Sequence, residues 1–528
     1  MNEIENFGKY VSEGNVTNPI VKGFYPDPSV CFAEGKYYMV CSSMQYFPGV
    51  PLFESEDLVN WKQIGHVLTR PSQIDLENVN SSGGVFAPTI RYNDGVFYMV
   101  TTNDTYHKNF YVTTKDIYGE WSEPVFVDQA GIDPSLLFED GKCYFMSNGS
   151  DEDNNGCIFQ CEINPETGEK LSESRPMWKG SGGRYLESPH LYHIGEYYYV
   201  MAAEGGTEYG HMITYARGKS PYGPFENYPG NPVITNRNLG GHQSRIQGIG
   251  HGDLIMGPDG EYYIICLGFR QLATWVPYHH LGREVFITPV KFGEDGWFRV
   301  ATPPFNNSHV MRARVEIPAC KKQEKSDYSV SLESLYENPL RLTYLRKPDL
   351  SNYGFVKDEN GKVSFRIKQT AVTLSDTISP SFAGVRQSEF ETELRAEVEV
   401  DDGEAGVTVY MDENNHFDIF MSADRNSGAM SVSLRICEGD LKTVVKTEPI
   451  EKGPAHIGFR SIAYGYSFFM EKGGVEIPLG SAQSKYLSSE VCGGFTGVFA
   501  AMYATNPSGE STWAEFTRFD WKQEDTYI

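Results

Sequence analysis

Asp27, Asp133 and Glu187 are the residues through which this chain could do chemistry. Asp27 opens the tetrapeptide DPSV, Asp133 opens DPSL, and Glu187 stands directly before SPHL. A lone Asp-Pro-Ser is ordinarily a turn in which the carboxylate caps nearby amides. Recurrence in register changes that reading, because a repeating fold brings like charges to one place, where they cost stability unless function retains them. Three carboxylates converging among aromatic walls suit acid/base hydrolysis of a glycosidic bond. One must be protonated to assist the leaving oxygen, another ionised to activate water or attack carbon, and a third anion keeps the acid protonated near neutral pH. The residues alone do not distribute these roles. They also leave open a carboxylate metal site, although hard cations favour denser Asp/Asn loops than these.

The elements that must position the three form an internal repeat. Short turns with glycine are followed by aromatic, apolar strands five times: GKYYMVCSS from Gly35, GVFYMVTTN from Gly95, GKCYFMSNG from Gly141, GEYYYVMAAEGG from Gly195 and GEYYIICLGF from Gly260. A shorter strand precedes each turn, opening at Asp27, Ala87, Asp133, the pair Glu187 and Ser188, and His251. Nearly continuous Tyr, Phe, Val, Ile and Met indicate strands packed on both faces. A second marker, ESEDLVNWKQIG around Trp61, is echoed by TKDIYGEWSEPVFV around Trp121. The interval between turn glycines fits four strands per unit, the size of a propeller blade. Residues 1–310 are therefore expected to form a five-bladed β-propeller whose innermost strands turn their first residues toward a central funnel; an open sandwich of five hairpins is the plainer alternative.

From residue 311 the pattern changes. A charged, irregular stretch, ARVEIPACKKQEKSDYSVSLES, leads into alternating strands such as FETELRAEVEV, AGVTVYMDE, SVSLRICEG and WAEFTRFDW, separated by Gly, Asn and Asp turns. Period-two alternation with this turn spacing predicts an antiparallel, concanavalin-like β-sandwich over 311–528, linker included. The fold class is all-β. The sandwich is expected to pack on the propeller and to lend a loop to one side of the pocket.

Composition narrows the partners. Against 45 Lys and Arg stand 70 Asp and Glu, a net charge of −25, which repels nucleic acid and anionic lipid and suits a neutral ligand. Nine cysteines without a CxxC pair read as reduced thiols. The polar start MNEIENFGKYVSEG has no apolar core of a leader, and no run approaches the roughly 18 apolar residues of a membrane span. A cytoplasmic location, no membrane and no nucleic-acid partner are the expectations. A homo-oligomer is compatible with all of this.

Taken together, NPIVKGFYPDPSV, QYFPGVPLFESEDLVNWKQIGHVLTR, SSGGVFAPTIRY, GIDPSLLFEDGK, GGRYLESPHLY, AAEGGTEYGHM, GHGDL and LGREVF make the whole chain resemble glycoside hydrolase family 43, in its branch of β-xylosidases and α-L-arabinofuranosidases with a C-terminal sandwich. The resemblance implies an inverting exo-glycosidase. Asp27 would be the general base, Glu187 the general acid, and Asp133 the residue that raises the pKa of Glu187 and holds it, with acid and base roughly 6.5 to 9.5 Å apart. It further implies that Arg283 holds the sugar, that Phe47 and Phe86 wall its subsite, and that His251 lies at the channel centre. No cofactor would be required, although some members carry a divalent cation, often calcium, beside that histidine. Two departures stand out: Phe86 replaces a common Trp, and Ser188 replaces a common Gly.

The expected substrate is a small oligosaccharide that loses its non-reducing-end pentose. This would be β-D-xylose from β-1,4-xylooligosaccharides or α-L-arabinofuranose from arabinoxylan-type fragments, the second as an equal or dominant activity. Two other classes fit the same fold. A non-catalytic carbohydrate-binding propeller would not need the full set of carboxylates, and a fructan-cleaving propeller would retain anomeric configuration through a nucleophilic aspartate.

Overall fold

The computed structural model describes residues 14–153, 155–239, 244–272, 277–302, 305–306, 309–507 and 509–524. Five antiparallel sheets come first, each ordered from a short inner strand outward. The inner strands are Ser29–Ala33, Thr89–Asn93, Ser135–Glu139, Glu187–Ile194 and Ile246–Met256. They touch in ring order, with the fifth against the first, so the sheets close radially into a five-bladed propeller. The open-sandwich alternative is thereby set aside.

Local sequence explains the repeat. Ala33 pairs with Lys36, Asn93 with Val96 and Glu139 with Lys142, which leaves two-residue turns. Both turn residues have positive φ in each case: Glu34 and Gly35, Asp94 and Gly95, Asp140 and Gly141. That is the turn whose twist matches paired strands, and it is why an acidic or small polar residue followed by Gly recurs there. The apolar strands then fill five wedges between blades, such as the one holding Phe97, Met99, Leu52 and Val67. Val16–Thr17 pairs with Arg314–Val315, so chain from both ends of the propeller meets at its closure.

Two further sheets, of seven and six strands, pack as the C-terminal sandwich. Strand Glu391–Glu399 alternates buried and less buried residues as a half-solvated strand should. Strand Phe499–Thr505 is buried throughout. Its even-numbered members, Ala500, Met502 and Ala504, face the sandwich core, whereas Phe499, Ala501 and Tyr503 join Phe24, Met44 and Tyr46 of the propeller in a separate apolar cluster. The six-stranded sheet is thus covered on both faces. Tyr344–Leu345 adds a short pairing to Tyr46–Phe47. Across the same contact, Arg270 grips Glu284 through two bonds of 2.7 Å and reaches Glu389 of the sandwich at 3.1 Å. An interface with this much buried apolar and paired polar surface holds the two domains as one unit. Among the described residues, no helix is long and apolar enough to cross a membrane.

Candidate active site

A shared backbone device presents the funnel residues. Asp27, Asp133, Ser188 and His251 have φ of 55°, 55°, 58° and 41°, the left-handed region that L-residues seldom occupy. Asp27, Asp133 and Ser188 stand at the start of their inner strands, whereas His251, expected to open its strand, lies in the middle of Ile246–Met256 at a register break between Gly250 and Gly252; such outliers gather where structure over-determines a site. Glu187 precedes the strained residue of its own blade by one position. Its strand also breaks register between Glu187 and His190, so its carboxyl leaves the backbone differently from those of the two aspartates.

Asp27, Phe86, Asp133, Glu187, His251 and Arg283 line one cavity of about 160 Å³. A second chamber of about 520 Å³ adjoins it, and Glu187, Thr207, Arg283 and Phe495 line both. Of the three carboxylates, Glu187 alone faces the two chambers; Asp27 and Asp133 face only the inner one.

Their surroundings separate the three. Asp27 is 4% exposed. Burial pushes its carboxyl up, but Arg283, His251, His211 and the Ser42 hydroxyl outweigh burial and hold it below the usual carboxylate range. Arg283 Nη1 donates to Asp27 Oδ1 at 3.1 Å and Ser42 Oγ donates to Oδ2 at 2.6 Å. Glu187 is raised to about 7, by burial first and then by the charge of Asp27, with Arg283 opposing. Among the described residues its carboxyl has no hydrogen-bond partner, which leaves it free for a ligand. Asp133 is pushed well above the carboxylate range by burial and by Glu187 and Asp27, against the bond from Ser188 and the charge of Arg283. One carboxylate held below the usual range therefore faces two that are held above it.

Ser188 supplies a link that glycine could not. Its hydroxyl lies 3.1 Å from Asp133 Oδ2 and 2.6 Å from His251 Nδ1. The side chain that makes the left-handed conformation costly is the one that ties Asp133 to His251.

Phe47 needs a correction. It does not line the cavity: it is 4% exposed, lies in the apolar wedge between the first and second blades, and has its backbone paired with Tyr344. Its ring packs with Val50, Leu68, Ile74 and Val85 rather than against a ligand. Phe86 does line the cavity and leans on the cluster between domains. Sequence reasoning missed Met44, Ile132, Thr207, His211 and Phe495. Thr207 and His211 stand in AAEGGTEYGHM, which carried a signal; Phe495 carried none.

The divalent cation expected at His251 finds, among the carboxylates whose charge that ring feels, none without a guanidinium partner. His251 Nδ1 is engaged by Ser188, and the carboxylates whose charge it feels, Asp27 and Asp253, are paired with Arg283 and Arg91. Among the described residues, three candidate ligand atoms converge only at His416, Asp418 and Cys437 in the sandwich core. There Asp418 is held by His416 and Arg435, both at 2.8 Å, and a guanidinium at that distance opposes a cation.

A propeller funnel that sets an ionised carboxylate against a protonated one is the machinery of a glycoside hydrolase. Residues 16–298 match Glycosyl hydrolases family 43, and residues 337–522 match the Beta xylosidase C-terminal Concanavalin A-like domain. The chain belongs to glycoside hydrolase family 43. It is 38% identical over 514 residues to a non-reducing end alpha-L-arabinofuranosidase of Bacteroides ovatus, covering 96% of this chain and 94% of that one. With a xylosidase/arabinosidase of Butyrivibrio fibrisolvens it shares 33% identity, over 93% of this chain and 95% of that one. The crystal structure of xylan beta-1,4-xylosidase from Bacillus halodurans C-125 superposes with a TM-score of 0.88 at 28% identity, covering 96% of this chain and all of that one. Membership of this family calls for no cofactor.

Proposed function

We propose that this enzyme removes one terminal pentose at a time, α-L-arabinofuranose or β-D-xylose, from the non-reducing end of short oligosaccharides, with inversion at the anomeric carbon. The observation that carries this reading is the position of Glu187 at the boundary of the two chambers while Asp27 lies only in the inner one. A sugar in the inner cavity would point its scissile bond outward past Glu187, with Asp27 on the far side. Glu187, held protonated up to about pH 7, would donate to the leaving oxygen. Asp27, ionised and oriented by Arg283 and Ser42, would take a proton from water. Asp133 would keep the proton-rich half of the site together with Glu187 and fix Ser188.

The walls fit a small sugar rather than a chain passing through. Met44, Phe86, Ile132 and Phe495 supply apolar surface, and the cavity is a small recess beside the larger chamber. The names borne by the Bacteroides and Butyrivibrio relatives support both pentoses as substrates. Comparing turnover of aryl α-L-arabinofuranoside with aryl β-D-xyloside ranks them, and NMR of the first-formed sugar reads the anomer. Absence of turnover on both, or a retained anomer, rejects the proposal. A cytoplasmic workplace belongs to the same reading, supported by nine cysteines that are all free thiols, eight of them buried.

A further inference from the structure

One layer below the carboxylates, a single guanidinium joins four blades. The second blade brings Ala87 to the funnel, the one blade mouth without a polar side chain, but its inner strand carries Arg91. Arg91 Nη1 donates to Asp253 Oδ2 at 2.8 Å and Nη2 to Oδ1 at 3.2 Å, a two-pronged pairing. The same Nη1 lies 3.3 Å from Ser29 Oγ and 2.8 Å from the Ile90 carbonyl, and Nη2 lies 2.9 Å from His190 Nδ1. Burial, with Arg91 beside it, holds His190 down at about 3, so its ring is neutral and Nδ1 accepts. Asp253 is 1% exposed and also accepts from Ser29 Oγ at 2.7 Å, from the Val30 amide at 3.0 Å and from Tyr192 Oη at 2.5 Å.

These partners are not scattered. Ser29 follows Asp27 by two residues, Asp253 follows His251 by two, and His190 follows Glu187 by three. Ser135, two residues after Asp133, adds the third blade by donating to the Pro189 carbonyl. The layer therefore holds the strand segments from which base, acid and His251 all project. A buried carboxylate such as Asp253 needs a positive partner, which in a propeller channel a metal ion could supply; here the partner is covalently part of the second blade.

We propose that Arg91 takes the structural place of a channel cation in this enzyme, acting as a positioning residue that fixes Asp27 and Glu187 from beneath and frees the site from divalent metal. The activity readout rests on the glycosidase reading, whereas thermal melting does not. Four preparations of the full chain decide it. For the wild-type protein, EDTA followed by added calcium leaves both melting temperature and kcat unchanged. In Arg91→Ala the carboxylate of Asp253 is unpaired. That variant melts lower and loses kcat by about 100-fold, with KM changed much less, because small misplacements of reacting groups are costly. Adding calcium alone raises its melting temperature and restores part of kcat, and a second change, Asp253→Asn, abolishes that response. Arg91→Lys keeps a cation in place and stays indifferent to calcium, which serves as the check where Arg91→Ala does not fold. A wild-type protein that loses stability to EDTA and regains it with calcium overturns the proposal. So does an Arg91→Ala protein with full kcat, or one whose melting is untouched by calcium. If no pentoside is cleaved by any form, the melting temperatures still separate these outcomes.

Discussion

Arg283 of the propeller donates through Nη2 to the backbone carbonyl of Phe495, a sandwich residue 212 positions away, at 3.2 Å. The same guanidinium holds Asp27 and Thr207 through Nη1, at 3.1 and 2.9 Å, and lies over the Phe495 ring at 5.7 Å. The Phe495 amide is in turn taken by Ser82 of the propeller at 2.8 Å. The sandwich thus supplies both a wall of the sugar cavity and a brace for the arginine that orients the base.

Phe495→Ala should therefore raise KM, because the ring's contact with the sugar and leaving group is lost, while its backbone carbonyl still accepts from Arg283. Loss of one partly exposed aromatic contact is expected to weaken binding by about 1–2 kcal/mol, roughly 5- to 30-fold. Steady-state kinetics on a short oligosaccharide measures it; an unchanged KM would remove Phe495 from the binding surface.

Glu187→Gln should lower kcat on substrates with poor leaving groups by about 10²- to 10⁴-fold, the usual worth of a general acid, while sugar binding persists. Aryl substrates with good leaving groups should lose much less. Stability should move the other way. A carboxyl whose folded pKa is raised from 4.5 to about 7 favours the folded state fully below 4.5 and loses that contribution as pH rises through 7. Removing the ionisable group therefore stabilises the protein at pH 8, by about 1–3 kcal/mol. Denaturant melts of both proteins at pH 5 and 8 test the sign.

The rate profile follows from the same two groups. Activity requires Asp27 ionised and Glu187 protonated, so kcat/KM should be bell-shaped. The acid limb lies below the ordinary aspartate value of 3.8, because Asp27 is held down, and the alkaline limb falls near pH 7. A flat profile between pH 5 and 9 is incompatible with this assignment.

Ser188→Gly separates strain from chemistry. Glycine relieves a left-handed serine, which costs roughly 1–2 kcal/mol, but removes the bridge between Asp133 and His251. Folding stability should hold or rise while kcat falls several-fold. Parallel loss of both would mean that the hydroxyl's role is structural only.

Phe47→Ala should cost about 3–5 kcal/mol of stability, as emptying a packed aromatic site usually does, and leave KM of the folded fraction unchanged. A selective rise in KM would return Phe47 to the sugar's surroundings.

Much of this protein was legible from residue order alone. Five glycine turns at blade-sized intervals defined the propeller, because a two-residue turn with positive φ tolerates few residue types and so repeats visibly. Repetition then put Asp27, Asp133 and the Glu187–Ser188 pair at equivalent blade mouths, since neighbouring copies of one unit must present matching positions to a common axis.

Tertiary structure alone decided what lies around those carboxylates. Phe47 and Phe86 read alike as aromatic residues near the funnel, yet packing buries one in the wedge between two blades and leaves the other facing the cavity. Arg91 and Asp253 sit on different blades, so their pairing leaves no local signal in either strand. Phe495 reaches the site from the far domain, and its contact with Arg283 depends on how two sheets stack rather than on any motif. Local rules act over a few neighbours, whereas the proton affinities of Asp27 and Glu187 are set by burial and by charges that only chain packing brings together.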